Sequence, residues 1–406
     1  MEDEKQSVIL FLVLWVLYAV VYMTKNCYSA AMATLVSEGV LTKTQTGTIN
    51  ASFYLIYAIF QIIGGIAADK FSPAKLILLG IVGAAFANLA VYFNQNYTFM
   101  LVIWSLNAAV QFGVWPGIFK IVATQLAPAH RQKGIFYILM ACSFGLIFSY
   151  ICAAVVEKWQ SNFIISAVSL FVLAVVWFFT YHNAERYMVT EAPREVKRKG
   201  EQKKSAGLMK LMFTSGVIFL LISCLGQNVL NLGIKSLTPV MIMESYDNIS
   251  PSLATGLNTI LIVINILGLF AARRFVLRRF SDETISMTIF YLLALPFVVL
   301  IAFVGKLPAF LMILALSLVA ALMAAAGLNN SYICARFNQY GYTGTMSGIF
   351  NAVAAFSIVI ANFAFTRLAD SAGWTVTTLT WIIIAVLTLL LNLAAIPLWR
   401  RMIRES

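Results

Sequence analysis

Lys25 lies in the middle of the first long apolar run, about residues 8–36, which is long enough to cross a bilayer as a helix of about 20 residues. An ammonium at that depth costs several kcal/mol unless it faces a bundle interior, a partner or water. Tyr18, Tyr22, Lys25 and Ser29 stand at i, i+4, i+7 and i+11, so a helix aligns two phenols, an ammonium and a hydroxyl on one stripe, with Asn26 beside it. A stripe of that kind suits the wall of a polar cavity. The alternative is that Lys25 snorkels to the headgroups, and the eleven residues of the run still to come count against it. A second stripe is Asn228, Asn231 and Lys235, at i, i+3 and i+7 of the seventh apolar run, next to Gln227. Every Asp and Glu falls in a loop or at the end of a run, so neither lysine has an acid available within the membrane. Two buried cations without protein counter-ions ask for an anion from outside.

Two further runs carry polar stripes. In the second, Asn50, Tyr54, Tyr57 and Gln61 fall at i, i+4, i+7 and i+11. The fourth contains Gln111-Phe-Gly-Val-Trp-Pro-Gly-Ile-Phe-Lys120. Pro116 lacks an N–H and is expected to kink that helix, Gly113 and Gly117 allow close packing, and Gln111 and Trp115 share a face. Lys120 lies roughly 180° from Gln111 on an ideal helix and near the run's end, so binding and snorkelling are equally open to it. The substrate-binding candidates are therefore Lys25, Lys235, Tyr18, Tyr22, Asn26, Gln111, Trp115, Asn231, Tyr54, Tyr57 and Lys120. Asn258, Asn265, Asn329, Asn330 and Asn351 are weaker, because amides in membrane helices often just bond a neighbouring helix. No Ser/His/acid set, P-loop or Cys/His metal spacing competes, and His130 and His182 sit between runs, so neither an enzyme nor a cofactor is expected.

The chain must supply membrane helices to position these groups. Of its 406 residues 61% are hydrophobic and 11% charged, against about 25% charged in soluble domains. Apolar runs of helical length number twelve, at about 8–36, 46–68, 75–93, 97–126, 134–156, 162–181, 211–242, 253–276, 286–304, 309–332, 345–366 and 376–398. The expected fold class is an all-α membrane protein. The five cysteines lie within runs in no paired pattern and are expected to pack as small apolar residues. With both termini cytoplasmic, 21 of the 28 Lys and Arg fall on the cytoplasmic side, 4 on the other and 3 within runs. That asymmetry follows the positive-inside rule, so the net charge of +12 reports topology and no nucleic-acid partner is expected. The basic stretch 182–210 is read as a cytoplasmic linker between an N-terminal six-helix bundle, 1–181, and a C-terminal one, 211–406. The halves repeat: Gly134-Ile-Phe136 returns as Gly348-Ile-Phe350, and Trp159 returns, one residue out of step, as Trp374. Two six-span halves with weak internal similarity are the plan of many secondary transporters.

After the second run comes Gly64-Gly-Ile-Ala-Ala-Asp69-Lys70-Phe-Ser-Pro-Ala-Lys75. It resembles the Gly-x-x-x-Asp-Arg/Lys-x-Gly-Arg-Arg signature of the major facilitator superfamily, with Ser72-Pro73 in place of Gly-Arg. The corresponding loop after run eight, Gly268 to Arg274, has lost the acid. Asp69, Lys70, Arg273 and Arg274 are expected to gate the cytoplasmic side. Tyr22-x-x-Lys-Asn26, Gln111-x-Gly-x-Trp-Pro116, Asn231-Leu-Gly-Ile-x-x-x-Thr-Pro239 and Gly344-Thr-Met-Ser-Gly348 resemble the organophosphate:phosphate antiporter family of that superfamily. The resemblance implies the major facilitator fold of two pseudo-symmetric six-helix bundles, with alternating access to the substrate. In that family an arginine just before Lys-Asn in span one and another in span seven bind phosphate; here those places hold Thr24 (or, shifting by one, Lys25) and Asn231. The family's span-two lysine and span-five histidine appear as Gln61 and Ser143, and Lys235, one turn beyond Asn231, offers the missing charge. A lysine is a point charge where arginine forms a bidentate fork, so this site should be softer toward carboxylates. The expected function is secondary transport of a small phosphorylated or carboxylated anion, by anion exchange. A transporter-like membrane sensor of a phosphorylated metabolite and a proton-coupled anion symporter are the alternatives. The protein is expected to be a monomer in the plasma (inner) membrane, with the small anion and the bilayer as its partners.

Overall fold

Within a bilayer, backbone polar groups must be satisfied inside the segment, which leaves long apolar runs to fold as helices. The structure, a computed structural model, describes residues 2–156, 158–191, 207–247, 249, 251–274, 279–280 and 282–405. Among these residues there is no strand. The helices are α1 (Glu2–Ser37), α2 (Lys43–Lys70), α3 (Pro73–Phe93), α4 (Tyr97–Val110), α5 (Val114–Lys120), α6 (Pro128–Val155), α7 (Ser161–Glu191), α8 (Leu208–Thr214), α9 (Val217–Ser245), α10 (Pro251–Ala272), α11 (Glu283–Ile301), α12 (Ala309–Arg336) and α13 (Thr343–Glu405). Ten segments among the described residues are long and apolar enough to cross a membrane. The last of these, Thr343–Arg404, breaks at Gly373 (φ 81°, ψ 169°) into two crossings, and α10 carries a shorter apolar helix, Ile260–Ala272. The twelve expected crossings are thereby accounted for.

Two runs are not the single helices that their apolar lengths suggest. The fourth span is α4, a 3-10 turn at Gln111–Gly113, α5 and a π turn at Ile121–Gln125. Pro116 has no N–H, so the Phe112 carbonyl has no partner four residues on, and the helix tightens just upstream of the proline. That carbonyl lies against Gly64 of α2, where any Cβ would overlap it. Gly64→Ala is accordingly expected to cost on the order of 2–3 kcal/mol through backbone overlap, read as a lower melting temperature in detergent. Gly47→Ala, with nothing within 4 Å of its Cβ, should be near neutral. The seventh run is broken at Gly216, whose φ of 74° ends α8 before α9 begins. Of the expected 182–210 linker, α7 continues to Glu191 and residues 192–206 lie outside the described residues.

By internal packing the chain falls into two compact units, Met1–Lys204 with Cys334–Ala352, and Ser205–Ile333 with Val353–Ser406. In the first, α1 packs on α6 and α7, α3 on α7, and α2 on α4. Trp104 and Trp177 are among its fully buried side chains, and the Trp177 indole donates to Ala74 O at 3.1 Å. In the second unit α9 packs on α10, and Trp399 donates to Glu283 Oε2 at 3.2 Å. Asp282 caps α11 through the Thr284 and Ile285 amides and pairs with Arg400 at 2.8 Å. Burial pushes its carboxyl up, but the Thr284, Arg400 and Ile285 bonds outweigh this and hold it below the usual carboxylate value. The tryptophans repeated in the sequence have the same role in each unit. Trp159 donates to Glu38 Oε2 at 3.0 Å, just past α1, and Trp374 donates to Glu244 Oε2 at 2.7 Å, in the last turn of α9.

Candidate functional site

Lys25 is 7% exposed, and its Nζ does not reach for the headgroups. It lies 3.6 Å from the centroid of the Tyr57 ring, with the Tyr22, Tyr54 and Phe53 rings at 5.3, 5.4 and 5.8 Å. Helical spacing explains the cage, since Phe53, Tyr54 and Tyr57 occupy adjacent positions on one side of α2, opposite Tyr22 and Lys25 on α1. Among the described residues no carboxylate comes within ion-pair distance of Nζ. Cation–π contacts contribute about 0.5–2 kcal/mol each, whereas burying an ammonium costs several. The rings therefore soften the burial of this charge without neutralising it.

The other candidates of the first unit assemble around this cage. Tyr18 stacks on Trp115 at 5.0 Å and meets Tyr22 edge-on at 5.2 Å. Asn26 donates to Tyr22 O at 2.8 Å, and the Tyr54 hydroxyl donates to Asn26 Oδ1 at 3.5 Å. Gln111 donates to Asn107 Oδ1 at 2.8 Å, and Gln61 donates to Gln111 O at 3.5 Å. Asn351, on the part of α13 that belongs to this unit, donates to Tyr57 Oη at 3.2 Å and to Gln61 Oε1 at 2.8 Å. Ser29 donates to Asn50 Oδ1 at 3.2 Å.

Lys120 stands elsewhere. Its Nζ donates to Ala68 O at 2.7 Å and lies 3.6 Å from Asp69 Oδ1, so it stands with the residues expected to gate, away from the tyrosines. Asp69 itself accepts the Gly344 amide at 2.7 Å and the Thr345 amide at 2.6 Å, capping the first turn of α13. The glycines make that approach possible: a Cβ on Gly344 would lie 2.8 Å from Asp69 Oδ1, and one on Gly65 would lie 2.6 Å from Gly344 O. Lys70 is exposed in the last turn of α2, Arg273 is half-buried and Arg274 exposed.

In the second unit Asn231 is buried and Lys235, one turn on, half-buried; among the described residues no carboxylate is within ion-pair distance of Lys235. Asn228 bends back to Cys224 O at 2.9 Å and Gln227 Oε1 at 3.1 Å, while Gln227 donates to Met323 O at 2.8 Å. The Oδ1 atoms of Asn231 and Asn330 are buried without a hydrogen-bond partner.

Sequence reasoning undervalued Asn351 and Gln61, although Gln61 closes the second-run stripe and Asn351 directly follows the repeated Gly-Ile-Phe. Of the five cysteines, Cys27, Cys224 and Cys334 are buried and Cys142 and Cys152 half-buried. Cys27 donates to Thr24 O at 3.0 Å.

Apolar helices with a caged lysine and a glycine-rich Asp69 loop accord with the signature read in the sequence. The chain belongs to the Major Facilitator Superfamily, whose profile matches residues 14–362. Among its relatives, the membrane sensor protein UhpC of Escherichia coli is 26% identical over 25% of this chain and 23% of its own length. A probable hexose phosphate transport protein of Chlamydia trachomatis is 22% identical over 28% and 25%, and the hexuronate transporter of Bacillus subtilis is 26% identical over 47% and 45%. These alignments thus span less than half the length of those relatives, and they accord with the resemblance to organophosphate antiporters. The solved structure of FucP in the outward conformation shares the fold with a TM-score of 0.73, at 18% identity, over 96% of this chain and 99% of FucP. The protein is an integral membrane protein of the major facilitator fold.

Proposed function

We propose that the protein carries a small organic anion, a phosphorylated or carboxylated metabolite, by alternating access and in exchange for another anion. The observation behind this reading is Lys25, a buried ammonium with ring faces around it and no carboxylate at ion-pair distance among the described residues. An incoming anion supplies the charge that the rings cannot. Asn26, Gln111, Tyr18 and Tyr22 offer amides and hydroxyls to orient it, and Lys235 and Asn231 are assigned the same role on the second unit. Relatives named for hexose phosphate and for hexuronate agree with a hydroxylated anion, and lysine in place of arginine leans the site toward the carboxylate. Asp69 and Lys120 are assigned to the gate, holding the start of α13 to α2 in one of the alternating states.

Exchange follows from charge. No Asp or Glu lies within an apolar run to take up a proton during the cycle, and an unliganded cationic site is costly to reorient. The test is counterflow in proteoliposomes containing only this protein, with labelled glucuronate or glucose 6-phosphate outside and the potential and pH gradient collapsed. Uptake should require the unlabelled anion inside. Uptake into anion-free vesicles that follows an imposed pH gradient would establish proton symport instead, and tight binding without uptake would establish a sensor.

A further inference from the structure

The cage around Lys25 has its two walls on different helices, and one buried side chain lies against a ring of each helix. Trp104 on α4 is 1% exposed and lies against rings from three other helices. Its partners are Tyr28 of α1 at 5.5 Å, Phe53 of α2 at 5.6 Å and Phe163 of α7 at 5.7 Å. Tyr28 is one turn from Lys25 on α1, and its hydroxyl reaches α2 at Thr46 O, 3.3 Å away. Phe53 is stacked on Tyr57 at 6.0 Å and 10°, and Tyr57 is the ring nearest the ammonium. The same rings continue outward through Phe163 to Trp159, which holds Glu38 at the end of α1. We propose that Trp104 is a positioning residue for the Lys25 cation, because it sets the register between α1 and α2 that places the Tyr57 face over the ammonium.

The two units argue for this assignment by contrast. Each has the indole–carboxylate tie at the end of its lysine-bearing helix, Trp159–Glu38 and Trp374–Glu244, so the tie belongs to the shared architecture. The ring set is different. Among the described residues no aromatic face lies over Lys235, so the aromatic hub accompanies the caged lysine and is not a general feature of both bundles. Close-packed interiors transmit small displacements, and a missing indole at the hub lets α1 and α2 shift without unfolding either helix.

This inference rests on the reading of Lys25 as the anion-binding cation, and the experiment separates the two. Binding of glucuronate and glucose 6-phosphate is measured by calorimetry on the purified full-length protein. The variants are Lys25→Gln, Trp104→Phe, Trp104→Leu and, as a packing control, Trp177→Leu, an equally buried indole that bonds to Ala74 O. Trp104→Leu should weaken binding about tenfold, the scale of one or two lost aromatic contacts, with Trp104→Phe restoring most of it and Trp177→Leu leaving affinity unchanged. Melting temperatures provide a readout independent of ligand: the effect of Lys25→Gln should differ between wild type and the Trp104 variants, and be the same in the Trp177→Leu background. If Lys25→Gln binds both probes as wild type does, the reading of Lys25 is wrong. If Lys25→Gln loses binding while Trp104→Leu keeps it and the melting effects are additive, Trp104 does not position the cation. Equal losses in Trp104→Leu and Trp177→Leu would mean general loosening and overturn the proposal as well. Should Trp104→Leu not fold, Trp104→Phe carries the same comparison, with a loss of about threefold expected.

Discussion

Lys25→Gln is expected to abolish binding of glucuronate and glucose 6-phosphate and, in the absence of ligand, to raise the melting temperature. Both effects come from the same charge. Taking one partner from a desolvated ion pair costs about 2–5 kcal/mol, so affinity should fall by roughly 30-fold to more than a thousandfold. Without ligand the balance reverses. The buried ammonium has only ring faces and no carboxylate near it, and a neutral amide avoids that burial cost while giving up cation–π contacts of about 0.5–2 kcal/mol each. A group retained for binding at the expense of stability shows this opposition of signs, whereas a structural lysine would lower stability when removed. A lower melting temperature together with intact binding would show that Lys25 is a packing element. Loss of binding with a raised melting temperature would establish it as a ligand contact.

The sequence carried much of this site, and the reason is that helices are periodic. Tyr18, Tyr22 and Lys25, then Tyr54, Tyr57 and Gln61, could be placed on stripes because helix geometry fixes which residues share a face. Pro116 announced the break in the fourth span, and Gly113 and Gly117 announced close packing, which the structure shows against Leu76 and Pro73 of α3. What periodicity does not carry is which stripes meet. Asn351 reaches Tyr57 from α13, and nothing in its own run distinguishes it from amides that only pack. Lys120 was left open between binding and snorkelling because its angle on an ideal helix said nothing about Ala68 O and Asp69, and the 3-10 turn at Gln111–Gly113 alters that angle. Trp104 was invisible for a related reason: a tryptophan in an apolar run reads as packing, and only its three ring neighbours mark it as a hub.

Asp69→Ala is expected to slow anion exchange at least about tenfold, while changing probe affinity less than about threefold. Its carboxylate makes two kinds of contact, and their magnitudes differ. The bonds from the Gly344 and Thr345 amides, at 2.7 and 2.6 Å, are charge-assisted and point at a helix N-terminus. Hydrogen bonds to charged groups contribute about 1.5–3 kcal/mol each, so losing both shifts the balance between the capped and uncapped arrangements by on the order of 3 kcal/mol, about a hundredfold. The ion pair with Lys120 is weaker: 3.6 Å long, with the lysine side chain 22% exposed, it contributes about 0–1 kcal/mol after solvent screening. A carrier must pass through both arrangements in each cycle, so disfavouring one by that amount lowers its rate without altering the anion's own contacts at Lys25. Lys120→Met should therefore be much milder than Asp69→Ala, since Asp69 keeps both amide bonds when the ammonium is gone. Initial exchange rates and probe affinities of the two variants in proteoliposomes decide the matter. If Lys120→Met is as slow as Asp69→Ala, charge pairing rather than capping of α13 sets the gate; if Asp69→Ala exchanges at the wild-type rate, the Asp69 contacts are not broken and remade in the cycle.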